Sequence, residues 1–211
     1  MPSSVEIKAE SLAYWYFRLN GFLTTVNFVI HPDMNGSQRT EVDILGVRFP
    51  YRAELLINPM RDDNLFLQIQ DKPYVVIAEV KKGDCKLNGP WTRSQDKNFL
   101  RVLRAIGIVP EKTVPKVAEA LYNSGYWEDS SCRVSIFCVG GAMNPSIRNK
   151  YPDVPQVMWT DILKFIFQRF RNYRSQKVSH PQWDDSGKLL WRHADSCADE
   201  AQFANTVAVT G

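Results

Sequence analysis

The 211-residue chain has no CxxC pair among its four cysteines, no long apolar run, no internal repeat and no low-complexity tract, and its formal charge is only +3. Each absence closes off a class. Cys85, Cys132, Cys138 and Cys197, without close pairing, exclude a zinc knuckle. With a start (Met-Pro-Ser-Ser-Val-Glu) that lacks the basic and then apolar pattern of a secretory leader, they point to free thiols in a reducing cytoplasm. The greasiest stretch, 162–170, is interrupted by Lys164 and Arg169 and falls short of the roughly 20 apolar residues that span a bilayer, so no membrane partner is expected. The small positive charge permits an anionic partner without demanding one. What is present is 44% hydrophobic and 12% aromatic content, enough for a substantial core in one domain, or one domain with an appendage.

The chain is organised around Tyr74-Val75-Val76-Ile77-Ala78-Glu79-Val80-Lys81-Lys82-Gly83, an apolar strand-like run that ends in an acid and two bases and breaks at glycine. Alternate side chains of a strand share a face, so Val75, Ile77, Glu79 and Lys81 project one way and Val76, Ala78 and Val80 the other. Glu79 and Lys81 therefore point into the same space. That pattern suits either an ion pair where a strand emerges into solvent or a site that holds a divalent metal and a developing negative charge.

Upstream, residues 5–20 crowd Ile7, Leu12, Tyr14, Trp15, Phe17 and Leu19 before Gly21 and predict a first helix. Glu10 lies on it, either as a solvated acid or carried inward towards the sheet. Residues 22–30 and 40–49 read as strands. In the second, Asp43 sits among Val42, Ile44, Leu45 and Val47, and an embedded carboxylate needs a hydrogen bond, an ion pair or a metal. Residues 50–73 read as a long polar loop, with Asp62-Asp63 a solvated turn.

Downstream of Gly83, a turn-rich link leads to a helix reaching Ile106, with Thr92-x-x-Gln95 as its capping box. Lys97, Arg101 and Arg104 follow helical spacing and form a basic stripe; with Lys82, Lys86 and Arg93 they read as a solvated face or as a phosphate-binding one. Residues 114–125 predict a helix, 132–139 and 154–159 strands, and 162–175 an amphipathic helix capped by Thr160-Asp161. The far end of that helix (Arg169, Arg171, Arg174, Lys177) reads as dipole compensation or as phosphate contacts. The tail from Val178 suggests an edge hairpin, and His193-x-Asp195-x-Cys197 a chance ligand pattern.

The order of helix with Glu10, strand, strand with Asp43, strand with Glu79 and Lys81, helix, strand, strand, helix resembles the PD-(D/E)xK, restriction-endonuclease-like nuclease superfamily. The arrangement is nearest to archaeal-type Holliday junction resolvases and stand-alone restriction-type nucleases. The resemblance covers about residues 5–176 and implies an α/β fold, a central mixed β-sheet flanked by helices with an αβββαβ core. A nuclease domain would then occupy 1–177 and a C-terminal extension 178–211. Asp43 would match the motif aspartate, although Val42 rather than proline precedes it. Glu79 would match the second acid, Lys81 the lysine, Glu10 the helix-borne glutamate, and Gln95 a polar residue some members use.

The implied activity is hydrolysis of phosphodiester bonds in DNA, RNA not being excluded. Asp43, Glu79, the Val80 carbonyl and Glu10 would hold Mg²⁺ or Mn²⁺, and Lys82, Lys86, Arg93, Gln95, Lys97, Arg101 and Arg104 would meet the nucleic acid. One site per chain makes a homodimer or a partner subunit plausible for cutting two strands. A non-catalytic nucleic-acid-binding or assembly subunit on the same fold is the alternative. A carboxylate-pair glycosidase leaves Lys81 and the bases without a role.

Overall fold

The computed structural model describes residues 4–36, 38–69 and 71–211. It opens with a strand, β1 (Val5–Lys8), and only then a helix, α1 (Ala9–Leu19), where a single helix is expected. Val5 and Ile7 alternate with Glu6 and Lys8, a period of two, and the strand's partner is supplied by the far end of the chain. In α1 the side chains of Leu12, Trp15, Tyr16 and Leu19, spaced three and four apart, are buried. Gly21, at φ +81°, ends the helix by donating to the Arg18 carbonyl.

The next strands, β2 (Leu23–Ile30), β3 (Thr40–Arg48) and, after the short α2 (Asn64–Leu67), β4 (Tyr74–Val80), pair antiparallel in sequence. The chain then crosses over through α3 (Gly89–Thr92), α4 (Asn98–Ile106) and α5 (Val114–Ser124), and β5 (Tyr126–Glu128) leads to β6 (Arg133–Gly140). Strand β6 lies parallel to β4. Beyond α6 (Pro145–Lys150), β7 (Gln156–Met158) adds to β6 and runs into α7 (Trp159–Asn172) and α8 (Arg174–Lys177). The sheet order is β2-β3-β4-β6-β5. The chain is thus α/β, with a mixed sheet covered by helices on both faces, and its central strand β4 is buried throughout. Val75 and Ile77 pack with α4 and α5, whereas Tyr74, Val76, Ala78 and Val80 pack with α1 and α7. The expected alternation along β4 therefore holds.

Several local expectations fail because tertiary contacts override local signals. The helix expected to reach Ile106 is broken: Thr92 donates its hydroxyl to the Gly89 carbonyl instead of capping, and Ser94–Asp96 form a 3-10 turn. Lys97 stands at φ +54° before α4 begins. That start is set by the Tyr122 hydroxyl, which accepts the Asn98 and Phe99 N–H groups. Helix α7 begins at Trp159, after Met158, and is not capped by Thr160 or Asp161; the Trp159 indole donates to the Lys82 carbonyl and anchors that end.

The tail is not a hairpin. It forms α9 (Asp185–Ser196), α10 (Glu200–Thr206) and β8 (Val207–Thr210), and β8 pairs parallel with β1. The Asp-Asp-Ser-Gly stretch of the expected hairpin is instead a helix start, in which Asp184 accepts the Gly187 N–H at 2.7 Å and the Trp15 indole at 3.0 Å. Glycine is required at 187 for close approach, since a Cβ there would fall 1.9 Å from the Trp15 ring. Leu190, Ala194, Cys197, Phe203 and Val207 join the core beneath α1 and α7. Of the His193-x-Asp195-x-Cys197 set, His193 Nε2 bonds Thr206 and lies 3.9 Å from Cys197 Sγ, whereas Asp195 turns away to pair with Arg174.

Asp62 is not a solvated turn residue, and the base-rich end of α7 is not a free basic surface. Asp62 is buried and accepts from Arg48, Arg52 and Arg169, while Glu54 takes Lys177 at 2.6 Å and Arg169 at 3.4 Å. The neighbouring Asp63 caps α2. This network ties the loop after β3 to α7, at the end of the sheet away from Glu79, because Arg48 pairs with Tyr74 at the start of β4.

Candidate active site

The antiparallel register that pairs Ile44 with Ala78 brings Asp43 alongside Glu79 one step further on. The β2 side of the ladder is interrupted there. Asn27, between the Val26–Ile44 and Phe28–Val42 pairs, has φ +53°. The Asp43 side chain replaces the missing continuation of the β3–β4 ladder by accepting the Val80 N–H at Oδ2, 2.7 Å away.

Lys81 completes the group. Its Nζ lies 2.6 Å from Glu79 Oε1, 3.0 Å from the Val80 carbonyl oxygen and 3.6 Å from Asp43 Oδ2. Three oxygens on two strands thus converge on a single positive charge. Mg²⁺ and Mn²⁺ favour hard oxygen ligands of this kind, so the donor set fits a divalent ion provided the ammonium moves aside. Glu10 is close enough for its charge to help raise the Asp43 pKa.

Burial pushes the Asp43 carboxyl above its ordinary range, against the Val80 hydrogen bond and the Lys81 charge. Burial, reinforced by the neighbouring Asp43 charge, likewise raises Glu79, which is only 3% exposed. For Lys81 burial acts to lower the pKa, but the bonds and charges of Glu79 and Asp43 outweigh it and the ammonium is held above its usual value.

Two residues escaped the sequence reading. Asn88 donates from Nδ2 to Glu79 Oε1, and the nearby Trp91 side chain favours the ionised form of this carboxylate. Asn88 occupies the N-cap position of α3 yet makes no capping bond, its amide being diverted to Glu79. Nothing local distinguishes this asparagine from an ordinary cap in an Asn-Gly-Pro-Trp turn. The loop that carries it is pinned to the end of β6: Gly141 N–H donates to Gly83 O, Cys85 N–H to Ala142 O and the Asn144 amide to Cys85 O. Gly140 permits this packing, since a Cβ there would lie 2.7 Å from the Gly83 oxygen and 2.8 Å from the Cys85 nitrogen.

Asn88→Ala is expected to weaken Mn²⁺ binding by about 10–100-fold while leaving the far-UV circular dichroism spectrum unchanged, because an outer hydrogen bond orients a ligand without building the fold. Titration calorimetry on parent and variant measures it. Equal affinities would show that Glu79 does not depend on the amide.

The expected basic stripe is largely neutralised. Arg93 pairs with Asp96, Arg101 with Asp33 and Arg104 with Glu111, and Arg101 also donates to the carbonyls of Asp96 and Lys97. Lys97 precedes α4 rather than extending a helical row. Gln95 is exposed in the 3-10 turn. Lys82, Lys86 and Lys97 are exposed and have no ion-pair partner among the described residues. Lys82 directly follows Lys81, and the end of the chain after β8 reaches its side chain, with Gly211 alongside.

No protein-family model, curated protein or solved structure matches the chain.

Proposed function

We propose that the chain is a metal-dependent nuclease of restriction-endonuclease-like fold that hydrolyses phosphodiester bonds in DNA. The observation that carries this reading is the convergence of Glu79 Oε1, the Val80 carbonyl and Asp43 Oδ2 on the Lys81 ammonium at the end of a buried strand. An exposed surface ion pair needs neither two embedded acids nor an asparagine withdrawn from its cap. The mixed sheet, with the acids on adjacent antiparallel strands and the lysine just beyond one of them, agrees with the superfamily arrangement.

In this reading Asp43, Glu79 and the Val80 carbonyl hold Mg²⁺ or Mn²⁺, which when bound supplies a water of lowered pKa and offsets charge on the phosphoryl group. Lys81, kept protonated by its neighbours, would turn from the carboxylates to the phosphoryl oxygens and stabilise the charge that builds there. Asn88 holds the Glu79 carboxylate in place. Glu10, whose charge reaches Asp43, would complete a second metal or water site. The four unpaired, buried thiols suit work in the reducing cytoplasm.

Incubation of the purified protein with linear, nicked, branched and single-stranded DNA and with RNA, with and without Mg²⁺ or Mn²⁺, tests the proposal. Metal-dependent cleavage of DNA is expected. Binding without cleavage under every condition would leave a nucleic-acid-binding subunit instead. For the substrate surface, simultaneous Lys82→Ala, Lys86→Ala and Lys97→Ala changes should flatten the dependence of log K on log salt by about one unit for each phosphate that no longer meets a lysine. An unchanged slope would mean that the nucleic acid lies elsewhere.

A further inference from the structure

Helix α7 and the residues 61–65 that lead into α2 enclose a cavity of about 730 Å³, with Tyr16 of α1 in its wall. Tyr16 is completely buried, yet its hydroxyl makes no hydrogen bond of normal geometry among the described residues. Buried polar groups are nearly always satisfied, so an unpartnered hydroxyl beside a cavity calls for an occupant. The two carboxylates whose charges reach this hydroxyl, Asp63 and Asp161, line the same cavity, which puts the hydroxyl on the cavity side of the ring. Burial and those charges raise the Tyr16 pKa, so the phenol keeps its proton. Asp63 accepts the Leu65 N–H at Oδ1 and leaves Oδ2 unengaged, and Asp161 makes no hydrogen bond or ion pair among the described residues. The cations of the wall are committed elsewhere. Lys164 pairs with Glu200, Arg169 pairs with Asp62 and Glu54, and the exposed Arg61 donates to Asn64. Phe165, whose ring meets the Tyr16 ring edge-on at 5.5 Å, and Leu65 add an apolar stretch to the wall.

We propose that this cavity binds a small organic amine, its primary ammonium held by the Tyr16 oxygen, Asp63 Oδ2 and the Asp161 carboxylate and its apolar body laid against Phe165 and Leu65. An ammonium carries three donors and no acceptor, which answers three acceptors that lack a donor. The Tyr16 proton is then directed at the neighbouring Asp63 carboxylate, and both sides of the hydroxyl are satisfied. An anionic ligand would meet two unpaired carboxylates instead. A bare divalent ion would leave most of the cavity and its apolar wall unused, whereas a cavity of this volume is of the size that small organic ligands occupy. The cavity shares no lining residue with the group around Glu79, so the proposal stands independently of the nuclease reading.

Titration of the ¹⁵N-labelled full chain with phenethylamine, followed by amide chemical shifts, tests the proposal. Saturable shifts are expected at residues 61–65 and 161–165, with a Kd in the millimolar range usual for so small a ligand. The charge-reversed isostere 3-phenylpropionate should leave them unmoved. Tyr16→Phe should weaken amine binding about tenfold through the loss of one hydrogen bond to a charged group. Its melting temperature should equal or exceed the parent's, because the hydroxyl has no partner until the amine arrives. Asp161→Asn, an exposed change that disturbs no contact, should weaken binding by a smaller factor, up to about fivefold. Absence of saturable shifts with the amine, equal binding of 3-phenylpropionate, or parental affinity in both variants would each overturn the proposal. So would a lowered melting temperature in Tyr16→Phe, which would show that the hydroxyl already has a structural partner.

Discussion

Asp43→Asn lowers metal-dependent DNA cleavage by about 10³-fold and leaves the protein at least as heat-stable as the parent; this is the expected result of removing one ligand charge while keeping its shape. The asparagine oxygen still accepts the Val80 N–H, so the strand end is preserved. What disappears is a carboxylate whose folded-state pKa is raised by burial. The folded protein binds that proton more tightly than the unfolded chain does. The associated stability is therefore complete at low pH and is lost as pH rises from the ordinary carboxylate value through the raised one. At neutral pH the charge is a net cost, and Asn removes it. Glu79→Gln should lose cleavage equally. The same shifts predict that metal affinity begins to fall on acidification at a higher pH than an unperturbed carboxylate, with a pKa of about 4, would dictate. Single-turnover cleavage, melting curves and calorimetry across pH check these statements, and full activity in either variant would remove the assignment.

Asp62→Ala is expected to destabilise the protein by about 3–5 kcal/mol, since it strands buried charges. At a few degrees per kcal/mol for a chain of this length, the melting temperature should drop by roughly 10 °C. Asp62 Oδ2 lies 2.7 Å from Arg48, and Oδ1 lies 2.6 Å from Arg52 and 3.2 Å from Arg169. Without it, the cations Arg48, Arg52, Arg169 and Lys177 share Glu54 alone, and Glu54 makes no pair with Arg48. Both Arg48 and Arg169 are almost completely buried. They also donate to the backbone carbonyls of Asn20, Ile69, Leu19 and Arg61, so they cannot turn to solvent without releasing the loop after β3 and the end of α1. Asp62→Asn, which retains acceptors but not charge, should fall between variant and parent. Because this network and Glu79 occupy opposite ends of the sheet, Asp62→Ala examined well below its melting point should bind Mn²⁺ as the parent does. A melting temperature within a degree or two of the parent would mean that the pairs contribute little.

The sequence by itself determined what depends on neighbours a few residues apart. Two-residue alternation shows that β4 buries both faces and that Glu79 and Lys81 project together, and an acid embedded in β3 marks Asp43. The same periodicities place most of the helices and strands, and the resemblance they carry implies the α/β class. The tertiary structure decided which polar groups meet. Asn88 lies in a turn-rich link and serves Glu79, and Asp62 reads as a turn and collects three arginines. Arg101 and Arg104 read as a basic stripe and are paired with acids from other segments. Val5–Lys8 becomes a strand only because Val207–Thr210 lies beside it. The physical reason is range: helical and strand periods are written between adjacent residues. A buried hydrogen bond or ion pair is satisfied by whichever group the folded chain delivers, often more than a hundred positions away, as with Arg169 and Asp62.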